Sequence, residues 1–496
     1  MSVRSSFFTA VFAFLSVITT HPSNTPPQIV YATYLGGRDK DCAAGIAVDP
    51  SGDAYVVGHT PSPDFPVTAG AFSTTTNVNN NDWVGFVSKI NATGSRLRYS
   101  SFIGGNFRSS ANAVTVDSGG RAYVVGSTCS TAFPVTRSAV IRKAPGTDKV
   151  NACDGFLAQF SPDGSRLEYA TYLGGSREDE ATAVALAPDG ETVYIGGTTS
   201  SSDFPVTRSA FQSRLNGPAD GFFSAINVKS GRLVYSTYVG GNGKDRISGI
   251  AVGSQGSVYL SGNTDSAIWP DLRLAQFGAL GETDGFVIRL DPKVGTKPSG
   301  IRLGGSGTED LAGISIDTPG DIYVVGTTNS RDFPMLGANL RQLGGGFAVK
   351  IEGRQFALTP KVIWARRLGG HGDDALLSVS AGMSGSIFIS GRSGSKDFPT
   401  TRTALHSHLK ADNDSTLVEL RASDGTEMFA TFVGGTRIPA SWYNDQATGV
   451  IATASGNIFV TGCTLDDQMP VSLAALQSRP RGNAEPFVLR MKFPSR

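Results

Sequence analysis

The chain has 496 residues, with 43 basic and 42 acidic side chains and a formal net charge of +1. That balance supplies no basic field for a phosphate backbone, so no nucleic-acid partner is expected. Beyond the N-terminal segment no apolar run is long enough to cross a bilayer, so no membrane span is expected.

Residues 1–22 read as a secretory signal peptide. Arg4 gives a short basic start, and the apolar stretch from Phe7 to Ile18 is too short for a comfortable span. Cleavage is expected between Thr19 and Ser23, which places the mature protein in the extracellular space or on the cell surface. No cysteine follows this segment closely enough to carry a lipid anchor.

The next element is the phrase YATYLGG at 31–37, and it recurs. It returns as YSSFIGG at 99–105, YATYLGG at 169–175 and YSTYVGG at 235–241, then more loosely as GIRLGG at 300–305, ARRLGG at 365–370 and FATFVGG at 429–435. Successive second glycines lie 64 to 70 residues apart. A fixed period of this kind marks one supersecondary unit copied around an axis, each copy buried against its neighbours.

Within a unit the glycine pair leads to a first apolar run, GIAVD at 45–49. A tight turn of Pro50, Ser51 and Gly52 follows, then a second run, AYVVGHT at 54–60. A polar segment carries a Phe-Pro pair, DFPVT at 64–68. The third run is GFVSKI at 85–90, and the next glycine-pair phrase is the fourth. Short β-branched and aromatic runs bounded by turn residues predict strands. Tyr55-Val56-Val57 is apolar on both faces, as in a sheet covered on both sides.

Four such strands at this period predict an all-β, seven-bladed β-propeller with four antiparallel strands per blade. Its blades start near 38, 106, 176, 242, 306, 371 and 436, in a single domain over 29–493. The chain enters on a fourth-type strand and leaves on a third-type strand, Pro486 to Met491. Residues 29–37 are therefore expected to complete blade 7 and close the ring.

With its YATYLGG, GIAVDPSGDAYVVGHT and DFPVTAGAF motifs, the chain resembles the seven-bladed beta-propeller repeat (SBBP) family of secreted and surface proteins. The likeness runs over residues 29 to 493 and is strongest in the first four copies. It implies the propeller fold and an extracellular setting, and it carries over no catalytic motif.

Four cysteines allow three pairings, or four free thiols. Cys129 ends the second strand of blade 2 and Cys153 precedes its third, so both lie at one rim. Cys42 leads into the first strand of blade 1, and Cys463 ends the second strand of blade 7. The expected bridges are Cys129–Cys153 and Cys42–Cys463.

An acid recurs four residues after the glycine pair: Asp41, Asp179, Asp245, Glu309 and Asp374, with Asp445 as the counterpart in blade 7 and Ser109 in blade 2. Short acids in tight connections accept backbone N–H groups, which is the structural reading. The other reading is a ring of oxygen ligands on the channel mouth, able to hold Ca²⁺; no other cofactor is expected. On the same rim the long crossover TRIPASWYND brings Trp442 and Tyr443, and the loop NVNNNDW ends in Trp83. Aromatics beside acids and amides suit sugar rings or peptide side chains. The sequence has no Gly-x-Ser-x-Gly elbow, HExxH or phosphate loop.

The function expected is a secreted or cell-surface, non-enzymatic module that binds a glycan or protein on the acidic rim. The alternatives are an extracellular carbohydrate-active hydrolase or lyase using carboxylates at the channel mouth, or a structural component of an extracellular assembly.

Overall fold

The structure, a computed structural model, describes residues 25–76, 82–146, 152–270, 272–292, 297–337, 344–356, 359–382, 385–434, 445–465, 467 and 469–494. The expected signal peptide lies outside them. Twenty-nine strands and no helix are found among the described residues.

The strands form seven sheets, five of which run antiparallel in chain order from the channel outward, with blades 4 and 7 departing from that order. Blade 1 runs Cys42–Val48, Ala54–Thr60, Val84–Ile90 and Leu97–Ile103. The sheet of blade 7 runs Gln446–Ala452, Asn457–Thr464 and Glu485–Lys492, and its outermost strand is Gln28–Tyr34. That first strand pairs antiparallel with the last, from Gln28 opposite Lys492 to Tyr34 opposite Phe487. Blade 4 adds a fifth strand, Leu274–Gly278, lying parallel to Ser299–Gly304.

The apolar runs pack between blades rather than into one central core. Tyr55, Val57 and Val87 of blade 1 share a cluster with Val124, Phe156 and Phe160 of blade 2. Phe459 and Val488 of blade 7 join Val56 and Phe86 of blade 1 in the same way. Each second strand is thus sandwiched on both faces, which is why it does not alternate. Burying one such side chain contributes roughly 1.5–3 kcal/mol, and the sum is what holds neighbouring blades together.

The Phe-Pro segments fold back onto their own blades. Phe65 is buried with its ring centroid 4.5 Å from Phe86, and Phe204 sits 4.5 Å from Phe222. Every innermost strand carries a register shift near its middle, as between Ala43 and Gly45. At two of these bulges a threonine crosses to the next blade: Thr182 Oγ1 donates to the Ile247 carbonyl at 2.6 Å and Thr448 Oγ1 to the Ala43 carbonyl at 2.9 Å.

Both expected disulfides are present. Cys42–Cys463 joins blade 1 to blade 7, and Cys129–Cys153 clasps the rim of blade 2.

Candidate ligand-binding rim

The glycine pair brings the chain round the rim from one blade into the next, and the acid four residues on closes that turn. Asp41 accepts the Gly37 N–H at 2.6 Å, the Thr60 hydroxyl at 2.5 Å and the Ser62 hydroxyl at 3.1 Å. Thr60 and Ser62 end the second strand of the same blade, so one carboxylate ties two loops together. Asp179 accepts Gly175 N–H and Ser201, and Asp245 accepts Gly241 N–H and Ser266. Glu309 repeats the arrangement with Gly305 N–H and Thr328, and Asp374 with Gly370 N–H, Ser393 and Ser395. Asp445 accepts the Leu465 N–H at 2.6 Å.

All six carboxylates are buried, none more than 4% exposed. Their partners are hydrogen-bond donors rather than the oxygen acceptors that Ca²⁺ coordination needs. Among the described residues no three His, Cys, Asp or Glu side chains converge as metal ligands. Burial pushes Asp41 and Asp179 up to about 6, against the hydrogen bonds that favour the charged form.

A second set of acids, not singled out from the sequence, opens the third strands. Asp154, Asp220, Asp284, Asp414 and Glu485 are buried too, and each follows the loop that enters its strand. Asp220 accepts Asn216 N–H and Gln212, and Glu485 accepts Gly482 N–H at 2.7 Å and Gln477 at 2.6 Å. The repeated acid just before the third-strand Gly-Phe pairs of blades 2, 3 and 4 was the available signal.

The two sets meet across the blade junctions. A Cβ on Gly174 would lie 2.6 Å from Asp154 Oδ1 and 2.7 Å from Asp179 Oδ2. A Cβ on Gly36 would lie 2.9 Å from Asp41 Oδ2 and 3.0 Å from the Glu485 side chain. The first glycine of the pair is therefore required by close approach of two carboxyl groups. Burial, with the neighbouring acid, pushes Asp154 up to about 7 and Glu485 up to about 7. In the blade 4–5 junction Arg302 stands beside Asp284 at 2.6 Å.

Two junctions depart from this plan: between blades 5 and 6 the third-strand position is Gly345 rather than an acid, and between blades 1 and 2 neither position is acidic. In the latter the two positions are Val84 and Ser109, packed around Gly104. There Trp83 is 38% exposed and Phe107 46% exposed. The Arg108 guanidinium lies over the Trp83 ring at 5.9 Å, and His59 is on the indole at 6.0 Å. Burial holds the His59 imidazole below its usual range. Arg108 Nε donates to Cys129 Sγ at 3.1 Å, so the Cys129–Cys153 bridge fixes the cation in place. Among the described residues Arg108 has no carboxylate partner. Trp442 and Tyr443, expected on this rim, lie outside the described residues.

Seven sheets, six of four strands and one of five, linked outer strand to inner strand around a channel, define a β-propeller. Residues 30–66 and 301–334 match the beta-propeller repeat family, SBBP, so this propeller carries SBBP repeats. No curated protein matches the chain. Solved structures of similar shape include a protein of unknown function from Dyadobacter fermentans, 10% identical over 95% of this chain and 100% of that one, with a TM-score of 0.39. Sqt1 of Chaetomium thermophilum is 12% identical over 88% of this chain and 83% of its own, with a TM-score of 0.42. Raptor of Chaetomium thermophilum is 6% identical over 96% of this chain and 30% of its own, with a TM-score of 0.47.

Proposed function

We propose that this protein is an exported, non-enzymatic binding module whose ligand, a glycan or a protein, meets the rim at the junction of blades 1 and 2. The observation that carries this reading is the exposed Trp83 with Arg108 over its ring, at a junction that has neither buried acid. An aromatic face beside a guanidinium offers apolar contact and charged hydrogen bonding on a rigid support. Trp442 and Tyr443 extend the same rim in the sequence reading. The buried acids hold the loops in shape, and side chains standing above them make the contact.

Two features support export. Disulfides persist in oxidising compartments, and the apolar stretch from Phe7 to Ile18 has the length of a signal segment. A hydrolase would need two accessible carboxylates roughly 5–10 Å apart, whereas the acids that recur after the glycine pairs are buried and hydrogen-bonded.

The test is a glycan and peptide array probed with the full chain and with Trp83→Ala and Trp442→Ala. The expected result is a ligand that both variants bind more weakly at an unfolding midpoint close to that of the parent. A ligand bound equally well by both variants removes this rim from the site.

A further inference from the structure

The opposite face of the propeller carries the turns between first and second strands, and one of these turns has lost a side chain that its neighbours still expect. In blade 1 the turn begins with Asp49. Its Oδ1 accepts the N–H groups of Ser51 and Asp53 at 3.0 and 3.1 Å, and its Oδ2 accepts the Tyr55 hydroxyl at 3.1 Å. Lys89, opposite Tyr55 on the third strand, lies 3.0 Å from the same oxygen. Blade 5 repeats this with Asp317: Gly320 and Asp321 N–H donate to Oδ1, and the Tyr323 hydroxyl donates to Oδ2 at 2.7 Å. Blade 2 does so with Asp117, Arg121 N–H and Tyr123.

Blade 4 keeps the donors and lacks the acceptor. Gly253 stands where Asp49 stands in blade 1, and Ser257 where Asp53 stands. The turn itself is the same. Gly253 N–H donates to Ser257 O at 2.8 Å and Gly256 N–H to Gly253 O at 2.8 Å, as Asp49 and Gly52 do in blade 1, and the φ of Gly256 is 83° against 84° for Gly52. Tyr259 holds the place of Tyr55, and Arg289, opposite it, the place of Lys89. Arg289 Nη2 donates to Ser257 Oγ at 2.9 Å, and no carboxylate among the described residues pairs with it. A cavity of about 340 Å³ opens beside this turn, lined by Gly253, Ser257, Tyr259, Arg289 and, from the next blade, Arg354.

We propose that this cavity binds a carboxylate from outside the chain, seated where the Asp49 side chain sits in blade 1. The N–H groups of Gln255 and Ser257, the Tyr259 hydroxyl and the Arg289 guanidinium are placed to donate to it. Arg354 stands at the mouth and adds a second positive charge. A guanidinium presents paired donors that match a carboxylate, and a cation without a counterion in a half-buried pocket favours an anion. Blade 4 alone combines the tyrosine hydroxyl and the cation with no acid: blade 3 has Ala225 at the cation position, blade 6 has Phe388 and Glu419, and blade 7 has Phe459. This site lies on the face opposite Trp83 and stands independently of the rim reading.

Acetate is the probe, because it carries the chemistry of an aspartate side chain and nothing more. The unfolding midpoint of the full chain is followed against sodium acetate, with sodium chloride at matched ionic strength as reference and sodium phosphate as a second arm. The expected result is a saturable rise with acetate beyond chloride, lost in Arg289→Met. Gly253→Asp supplies the carboxylate from the chain itself. A Cβ there would meet nothing nearer than Ile316 at 3.5 Å, so this variant is expected to fold, to have a raised midpoint without acetate, and to lose the acetate response. No saturable acetate effect, an effect that survives both substitutions, or a response to phosphate alone overturns the proposal.

Discussion

The junction of blades 2 and 3 and the junction of blades 1 and 2 share one plan and differ at two positions. In the first, Asp154 and Asp179 face each other around Gly174; in the second, Val84 and Ser109 pack around Gly104. Both acids are absent together. Removing one partner of a buried polar pair leaves the other uncompensated, whereas replacing both can be nearly neutral. The junction freed of its acids is also the one whose rim bears the exposed Trp83 with Arg108 over its ring. Interior regularity and surface variation are thus coupled through single side chains.

The largest effect is expected at the disulfide of blade 2, which stands between these two junctions. Replacing Cys129 and Cys153 by serine opens a connection of 24 residues. It should cost about 3 kcal/mol in urea unfolding on the chain-entropy account, and it should also release Arg108 from its sulfur partner. Next comes Gly174→Ala, which places a methyl group 2.6 Å from Asp154 Oδ1. A loss of about 2 kcal/mol is expected from overpacking, and a variant as stable as the parent would show that the two carboxyl groups can move apart.

A smaller effect separates the junctions by pH. Asp154 has its folded pKa raised to about 7 by burial and by Asp179. The folded state then binds more protons than the unfolded chain between roughly pH 4 and 7, so this group's contribution is present at low pH and is lost as pH rises through the folded value. Asp154→Asn should flatten that part of the stability profile and leave the variant relatively more stable at about pH 8 than at pH 4. Val84→Thr at the acid-free junction should shift the whole profile without changing its slope, as followed by thermal unfolding across the same range. The smallest effect on stability is expected for Trp83→Ala, about 0.5 kcal/mol from the lost cation contact, measured by the same unfolding experiment.

The repeat, the strand order and both disulfides were legible in the sequence because each depends on spacing alone. Cys42 and Cys463 could be brought together once the phase of the repeat was known. The spacing also found the acids four residues after each glycine pair, but not their depth. Depth depends on Thr60 and Ser62 folding back over Asp41, and that pairing joins two loops far apart in the repeat. The third-strand acids carry little local signal, because Asp154 or Glu485 beside a glycine or proline reads as an ordinary turn. The anion pocket was invisible for a different reason. Loop length drew attention to the opposite rim, and a pocket beside the missing side chain of Gly253 leaves no residue to notice. The extra strand Leu274–Gly278 has no local signature, because it pairs in parallel with a strand far along the blade.

The pairing of Gln28–Tyr34 with Glu485–Lys492 also sets an order of events for the growing chain. That strand is made before the six blades that follow it and waits unpaired until its partner is synthesised. Only when the residues around Phe487 emerge can blade 7 gain its outer edge and Cys42 come within reach of Cys463. Until then the nascent protein is an open arc with two sticky ends, exposed to pairing with other chains. Oxidation of that one bridge would therefore report, in a pulse-labelled cell, the moment at which the ends have met.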